Sequence, residues 1–281
     1  MMRLLCKAVA VVEESDLEAW LRAQCAEYAY DLGGVFRRRG DHSWPLTAGD
    51  EDELESQLAT GGHLLPLPKE PAALANVLEV SIVDFVLDRL AGVVGGEGRR
   101  GTERGYPDIE VTGPAFGGGF HAVDVKIAQR KVNKTGISAN TQSRITLYTG
   151  NTYFRYPQLH WPGTFRAFND YATHLDIIGI YTLNQGSASR VDDLELIVQQ
   201  PWRIASKQRS STTREYIGAV VRIADLRAGI GEFDTPEAFY AYWRRFRFNI
   251  GRAVQNQLDK LLNGPQTPPG AVEKPPPDLP S

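Results

Sequence analysis

PDIEVTGPAFGGGFHAVDVKIA, from Pro107 to Ala128, is the stretch on which the reading of the whole chain turns. Asp108 follows a proline, and Asp124-Val125-Lys126 sets an acid and an amine two residues apart in a β-rich run. Residues i and i+2 of a strand point to the same face, so the Asp124 carboxylate and the Lys126 amine are expected side by side. The glycine-rich turn between the two halves lets the Asp108 strand fold back against them. Two hard oxygen ligands then face a divalent cation, with a cationic nitrogen next to it.

Mg2+ prefers oxygen ligands, keeps several waters, and usually takes one or two carboxylates plus substrate phosphate oxygens. Asp108 and Asp124 are the expected metal ligands. The ion would lower the pKa of a water and offset charge on the attacked phosphate, while Lys126 would orient that water or stabilise the phosphate. The chemistry implied is phosphodiester hydrolysis.

Asp108 and Asp124 stand 16 residues apart, in the forms YPD and DVK, and further segments follow in order. They are Thr146-Leu147 with Gly150, the apolar run Ile177–Thr182, Trp202-Arg203-Ile204-Ala205, Thr212-Thr213, Ile217-Gly218, Gly231-Glu232-Phe233-Asp234 and Tyr242-Trp243-Arg244. Upstream stands Val77-Leu78-Glu79. In this combination the chain resembles the EcoRV-type restriction endonucleases of the PD-(D/E)xK nuclease superfamily, from about Leu74 to Phe248. The resemblance implies an α/β fold with a mixed central β-sheet flanked by helices. It also implies a catalytic set of Asp108, Asp124 and Lys126, with Glu79 supporting the metal from a helix beside the site.

Several of these residues also have plainer readings. Glu79 lies among Leu74, Val77, Leu78, Ile82, Val83, Phe85, Val86 and Leu90, a helical face on which a solvated acid is as ordinary as a metal-proximal one. Glu110 alternates with Asp108 and is within reach of the same metal, although the family pattern gives it no role. Gly117-Gly118-Gly119 reads as a hairpin or loop rather than a phosphate cradle, because no GK[ST] follows and no helix starts there.

The 281 residues, 42% hydrophobic, suffice for a sizeable core. No apolar run approaches the ~20 residues of a membrane span, and the start is too short and too soon acidic for a signal peptide, so a cytoplasmic protein is expected. Cys6 and Cys25 make neither a zinc site nor a disulfide framework and read as ordinary thiols. The net charge of -3 argues at first against DNA, but the charges are unevenly spread. Residues 1–80 hold 14 acids and 7 bases, whereas residues 125–169 hold 7 bases and no acid, and residues 202–252 hold 10 bases and 5 acids. The basic blocks begin beside Lys126, which favours a phosphate track over a merely solvated face.

Residues 1–65 are expected to form an N-terminal helical and charged appendage, with a helix near Glu14–Tyr30. Residues 66–263 form the endonuclease domain, with a helix near Ala72–Leu90 and strands near Asp108–Val111, Phe120–Ile127, Leu175–Thr182 and Glu195–Val198. Thr235-Pro236-Glu237 reads as an N-cap, a first-turn proline and an acid at the positive helix end. The aromatic helix it opens, Phe239–Phe248, is expected to pack in the core. Residues 264–281 form a proline-rich tail, disordered or extended.

The polar loop between Trp202 and Gly218 has the composition of a segment that reads base edges in the major groove. Ser210, Ser211, Thr212, Thr213 and Arg214 are the expected DNA contacts there, and Arg104, in a second contact loop before Tyr106, is another. The family's GATATC site and blunt ends are implied by the resemblance, but Ser210, Ser211, Arg214 and Glu215 replace its glycines and asparagines. A palindromic duplex matches a two-fold protein, so a homodimer is expected. A cognate DNA methyltransferase is its functional counterpart. The same triad would also serve a repair or structure-specific nuclease of the superfamily, and a non-catalytic DNA-binding relative is a further alternative.

Overall fold

Two helices with regularly spaced apolar residues cover one face of the molecule's main sheet. The computed structural model describes residues 16–30, 50, 52–53, 56, 71–102, 105–133, 136–184, 190–211 and 215–263. Helix α1 (Asp16–Ala26) buries Leu17, Leu21 and Cys25, one residue per turn along a single stripe. Helix α2 (Pro71–Leu90) does the same with Leu74, Leu78, Ile82, Val86 and Leu90. Both stripes meet Ile109, Val111, Val123, Val125, Leu175, Ile177 and Val198 of the sheet or pack beside them. α1 comes from the segment expected as an appendage. Its buried Glu18 accepts from Arg22 at 2.7 Å and from Gln200, just after the strand Val191–Gln199, at 2.9 Å.

The main sheet takes its strands as β1 (Glu97–Arg100), β2 (Ile109–Thr112), β3 (His121–Asn133), β4 (Gly136–Gln142), then, further along the chain, β6 (Thr173–Leu183) and β7 (Val191–Gln199). Its order is β1-β2-β3-β6-β7, with β4 paired to the outer end of β3. The β3–β6 pair is parallel and sets Asp124 beside Asp176 and Lys126 beside Ile178. All other pairs are antiparallel. Between β2 and β3, Gly117 and Gly118 have φ of 81° and 73°, a left-handed conformation open to glycine at no steric cost. This is a turn, as the sequence indicates.

The second face of β3 and β6 carries Ala122, Ala128, Ile178 and Ile180 into another core, shared with a small sheet. That sheet is antiparallel with order β5-β9-β8, built from β5 (Thr146–Thr149), β8 (Ala205–Arg209) and β9 (Tyr216–Ala219). Around it lie the short helices α3 (Pro201–Ile204) and α4 (Ile223–Ala228), then α5 (Pro236–Arg245) and α6 (Arg252–Asn263). The Thr235 side chain accepts from the Ala238 amide at 3.1 Å, capping α5 as its sequence predicts. Phe239 and Trp243 of α5 are buried among Tyr148, Phe154, Phe168 and Phe248, so this helix packs in the core.

The structure differs from expectation in two places. The strand expected from Asp108 begins one residue later, at Ile109, because the Asp108 side chain turns to cap an amide of β3. The loop expected between Trp202 and Gly218 is largely a hairpin: Ser210 N–H donates to Tyr216 O at 2.9 Å, closing the β8–β9 ladder around a short connection. Cys6, the Arg37–Gly40 run and the tail from Gly264 lie outside the described residues. No described helix is long and apolar enough to cross a membrane.

Candidate active site

Strand pairing brings the acids together. The β2–β3 ladder ends at the Ile109–Val123 pair, which leaves the next inward amide of β3 without a backbone partner from β2. The Val125 N–H donates instead to Asp108 Oδ2 at 2.6 Å, so Asp108 is fixed against the strand that carries Asp124 and Lys126. The Lys126 ammonium pairs with Asp124 Oδ2, as expected for residues two apart on one strand face. α2 passes over the same opening and adds Asn76 and Glu79 to its rim. β5 closes the other side with Thr146, Tyr148 and the preceding Arg144. The result is an open cleft of about 490 Å3 that holds Glu79, Asp108, Asp124 and Lys126.

The electrostatics of this cleft follow from crowding negative charge in a poorly solvated place. Burial pushes the Asp108 carboxyl up to about 8; Asp124 adds to the rise, while Lys126 and the Val125 amide oppose it. Glu79 is raised for the same first reason, burial, with Lys126 lowering it and Asp124 raising it again. Burial alone would depress the Lys126 ammonium, but Asp124, Asp108 and Asp176 outweigh it and hold the lysine charged. Asp108 and Glu79 are therefore short of positive charge, and Lys126 is the cation that acts on both.

Asp176 was not among the residues singled out from the sequence. It lies at 1% exposure in register beside Asp124, behind the cleft wall. It stands out in hindsight as the single acid of the otherwise apolar run LDIIGIY. Behind it, Tyr106, Tyr148, Phe168 and His174 form an aromatic wall, in which Tyr106 Oη and His174 Nδ1 lie 2.6 Å apart. Burial drives His174 down to about 3, so that ring is neutral.

Glu110 points elsewhere. Arg166 donates to it through Nε at 2.6 Å and through a terminal nitrogen at 3.0 Å, and Arg99 donates at 3.0 Å. With both oxygens engaged by guanidinium groups, Glu110 does not join the cleft acids. The Arg166 guanidinium also stacks 3.3 Å from the centroid of Phe120, and Arg99 lies 3.7 Å over Phe165.

Of the expected DNA contacts, Ser210 and Ser211 are half-buried at the end of β8. Ser210 Oγ shares a hydrogen bond with Thr146 Oγ1 at 2.8 Å, and Arg144 donates to the Arg209 carbonyl at 2.9 Å. These two bonds attach the hairpin to the wall of the cleft. Arg104, Thr212, Thr213 and Arg214 lie outside the described residues. Gly105, next to Arg104, is packed so closely that a Cβ there would sit 1.7 Å from the Gly163 carbonyl oxygen.

Mixed parallel and antiparallel strands flanked by helices, with the cleft at the divergence of β2 and β3, make this a restriction-endonuclease-like α/β protein. The family model for restriction endonuclease EcoRV matches residues 40–263. The chain belongs to the EcoRV restriction endonuclease family, a family of DNA-cleaving hydrolases. Comparison with curated proteins returns no match.

Proposed function

We propose that the protein is a type II restriction endonuclease that makes Mg2+-dependent double-strand cuts at a short palindromic DNA site. The observation that carries this reading is the convergence of Asp108, Asp124 and Lys126 in one open cleft. The donor set suits Mg2+, which favours one or two carboxylates and completes its shell with water and phosphate oxygens.

Asp108 and Asp124 would hold the ion, with Glu79 supporting it from α2. Mg2+ bound there would supply positive charge to the attacked phosphate and acidify a water. Lys126, kept protonated by the surrounding acids, would stabilise the same phosphate or orient the water.

Arg104, Ser210, Ser211, Thr212, Thr213 and Arg214 are assigned to DNA recognition. The basic stretch 125–169 supplies phosphate contacts. A homodimer, each subunit cutting one strand, matches a palindromic site. The partner activity is a DNA methyltransferase of the same specificity, and the compartment is the cytoplasm.

Incubation of the purified protein with phage DNA and Mg2+, with an EDTA control, tests the reading. Discrete fragments that disappear with EDTA are the expected result, and sequencing of their ends gives the site and the cut. GATATC with blunt ends is the first pattern to compare. Fragments of random length would replace this reading with a nuclease of lower specificity, and intact DNA that contains GATATC would remove that site from it.

A further inference from the structure

Asp176 is a buried carboxylate with neither oxygen in a hydrogen bond. A charge held that way costs several kcal/mol unless something compensates it. The groups that face it are Asp124 and Lys126 from β3, Tyr148 from β5, Tyr240 from α5 and Tyr106 from the segment before β2. Lys126 is the single cation of that set, and it is already paired with Asp124. Asp108, Asp124 and Asp176 thus present three carboxyl groups to one ammonium, more acid than Lys126 alone can answer.

We propose that Asp176 is a positioning residue of the cation site: from behind Asp124 it adds the negative field that draws a divalent cation onto Asp108 and Asp124. It does not line the cleft, so it acts through its neighbour and not by ligating the ion. Its own burial is relieved when the ion arrives, which couples occupancy of the site to the stability of the β3–β6 pair. This inference rests on the reading of the cleft as a Mg2+-dependent nuclease centre.

The test uses the full chain without DNA. Mn2+ is the probe, its free concentration is followed by electron paramagnetic resonance, and melting is recorded in EDTA. Asp176→Asn and Asp176→Leu are each compared with wild type and with Asp124→Asn. Both Asp176 variants are expected to bind Mn2+ at least about tenfold more weakly, because a charge one residue away in a poorly solvated site is only partly screened. Both are also expected to melt in EDTA at or above the wild-type temperature, since a buried carboxyl without a hydrogen-bond partner has been removed. A residue with a merely structural role would lower the melting temperature and leave the affinity alone. Mn2+ binding that Asp124→Asn loses and both Asp176 variants keep overturns the role of Asp176 while leaving the nuclease reading intact. Failure of the wild type to bind Mn2+ without DNA overturns the role of Asp176 and leaves the nuclease reading to the cleavage test, because substrate phosphate oxygens complete the ion's shell.

Discussion

Asp108 and Glu110 are two residues apart on one arm of one hairpin, yet their surroundings have opposite charge balance. Glu110 is gripped by two guanidinium groups that are themselves stacked on Phe120 and Phe165. Asp108 sits with Asp124 and Asp176 around a single lysine and is raised to about 8. A buried acid whose charge is fully answered by the protein is a piece of architecture. One whose charge is left unanswered is open to a partner from outside, which under the proposed function is a divalent cation followed by a phosphate.

Removing the open cluster should have the largest effect, and chiefly on turnover. Asp124→Ala and Lys126→Ala are each expected to lower cleavage by at least about 1000-fold, since both act on charge that develops at the attacked phosphate. Asp124→Ala leaves Lys126 facing Asp108 and Asp176 and should unfold near wild type, whereas Lys126→Ala takes the cation from these acids and should also lower the unfolding temperature. Cleavage of plasmid DNA by Asp124→Ala at the wild-type rate would dismiss the assignment of this cleft.

The closed cluster should respond the other way round. Glu110→Gln leaves Arg166 and Arg99 facing a neutral amide in a pocket where the acid is 5% exposed. Buried pairs broken on one side lose roughly 3–5 kcal/mol. Arg99 is more than half exposed and can rehydrate, so about 2 kcal/mol is expected here, read from urea unfolding. Mn2+ affinity should be unchanged. A variant that unfolds like wild type but loses the metal would erase the distinction between the two clusters.

pH offers a third separation. The Asp108 carboxyl titrates near 8 in the folded protein and near ~3.9 in an unfolded chain, so between those values the folded state binds more protons. Stability then falls as pH rises, from its full value below about 4 to its lowest above about 8. In EDTA the melting temperature should decline across that window, and saturating Mg2+ should flatten the decline by taking the place of the proton. Asp108→Asn should flatten it without metal. A melting temperature that climbs with pH in EDTA would contradict the unanswered charge at Asp108.

The sequence makes some of this legible and hides the rest for identifiable reasons. The alternation DVK fixes which side chains share a face, and the repeat of Leu74, Leu78, Ile82 and Val86 fixes the helix that faces the sheet. Both signals are local. The pairing of β3 with β6 is not, because some 50 residues separate Asp124 from Asp176, so nothing near either residue announces the other. The fate of Glu110 is hidden in the same way: its alternation with Asp108 puts it in reach of a metal, but Arg166 arrives from 56 residues downstream and takes both oxygens. The β8–β9 hairpin was hidden by composition, since SKQRSSTTREY is as polar as any loop and the ladder that orders it is made by backbone groups.

That hairpin supplies the smallest effect and the finest distinction between site and scaffold. Ser210 Oγ meets Thr146 Oγ1 at 2.8 Å, and Thr146 lies in the wall of the cleft. A neutral hydrogen bond of this sort contributes about 1 kcal/mol, and partly exposed hydroxyls replace it readily with water. Ser210→Ala should therefore move the unfolding midpoint little, and leave the Mn2+ affinity of the cleft acids as it is. If the bond serves to hold the recognition hairpin in register with the cut, its loss should appear as a few-fold drop in cleavage of the preferred site relative to sites differing by one base pair. Equal loss on all DNA would assign Ser210 to phosphate contact, because backbone contacts weaken binding without regard to sequence, whereas base readout and its supports change the ratio.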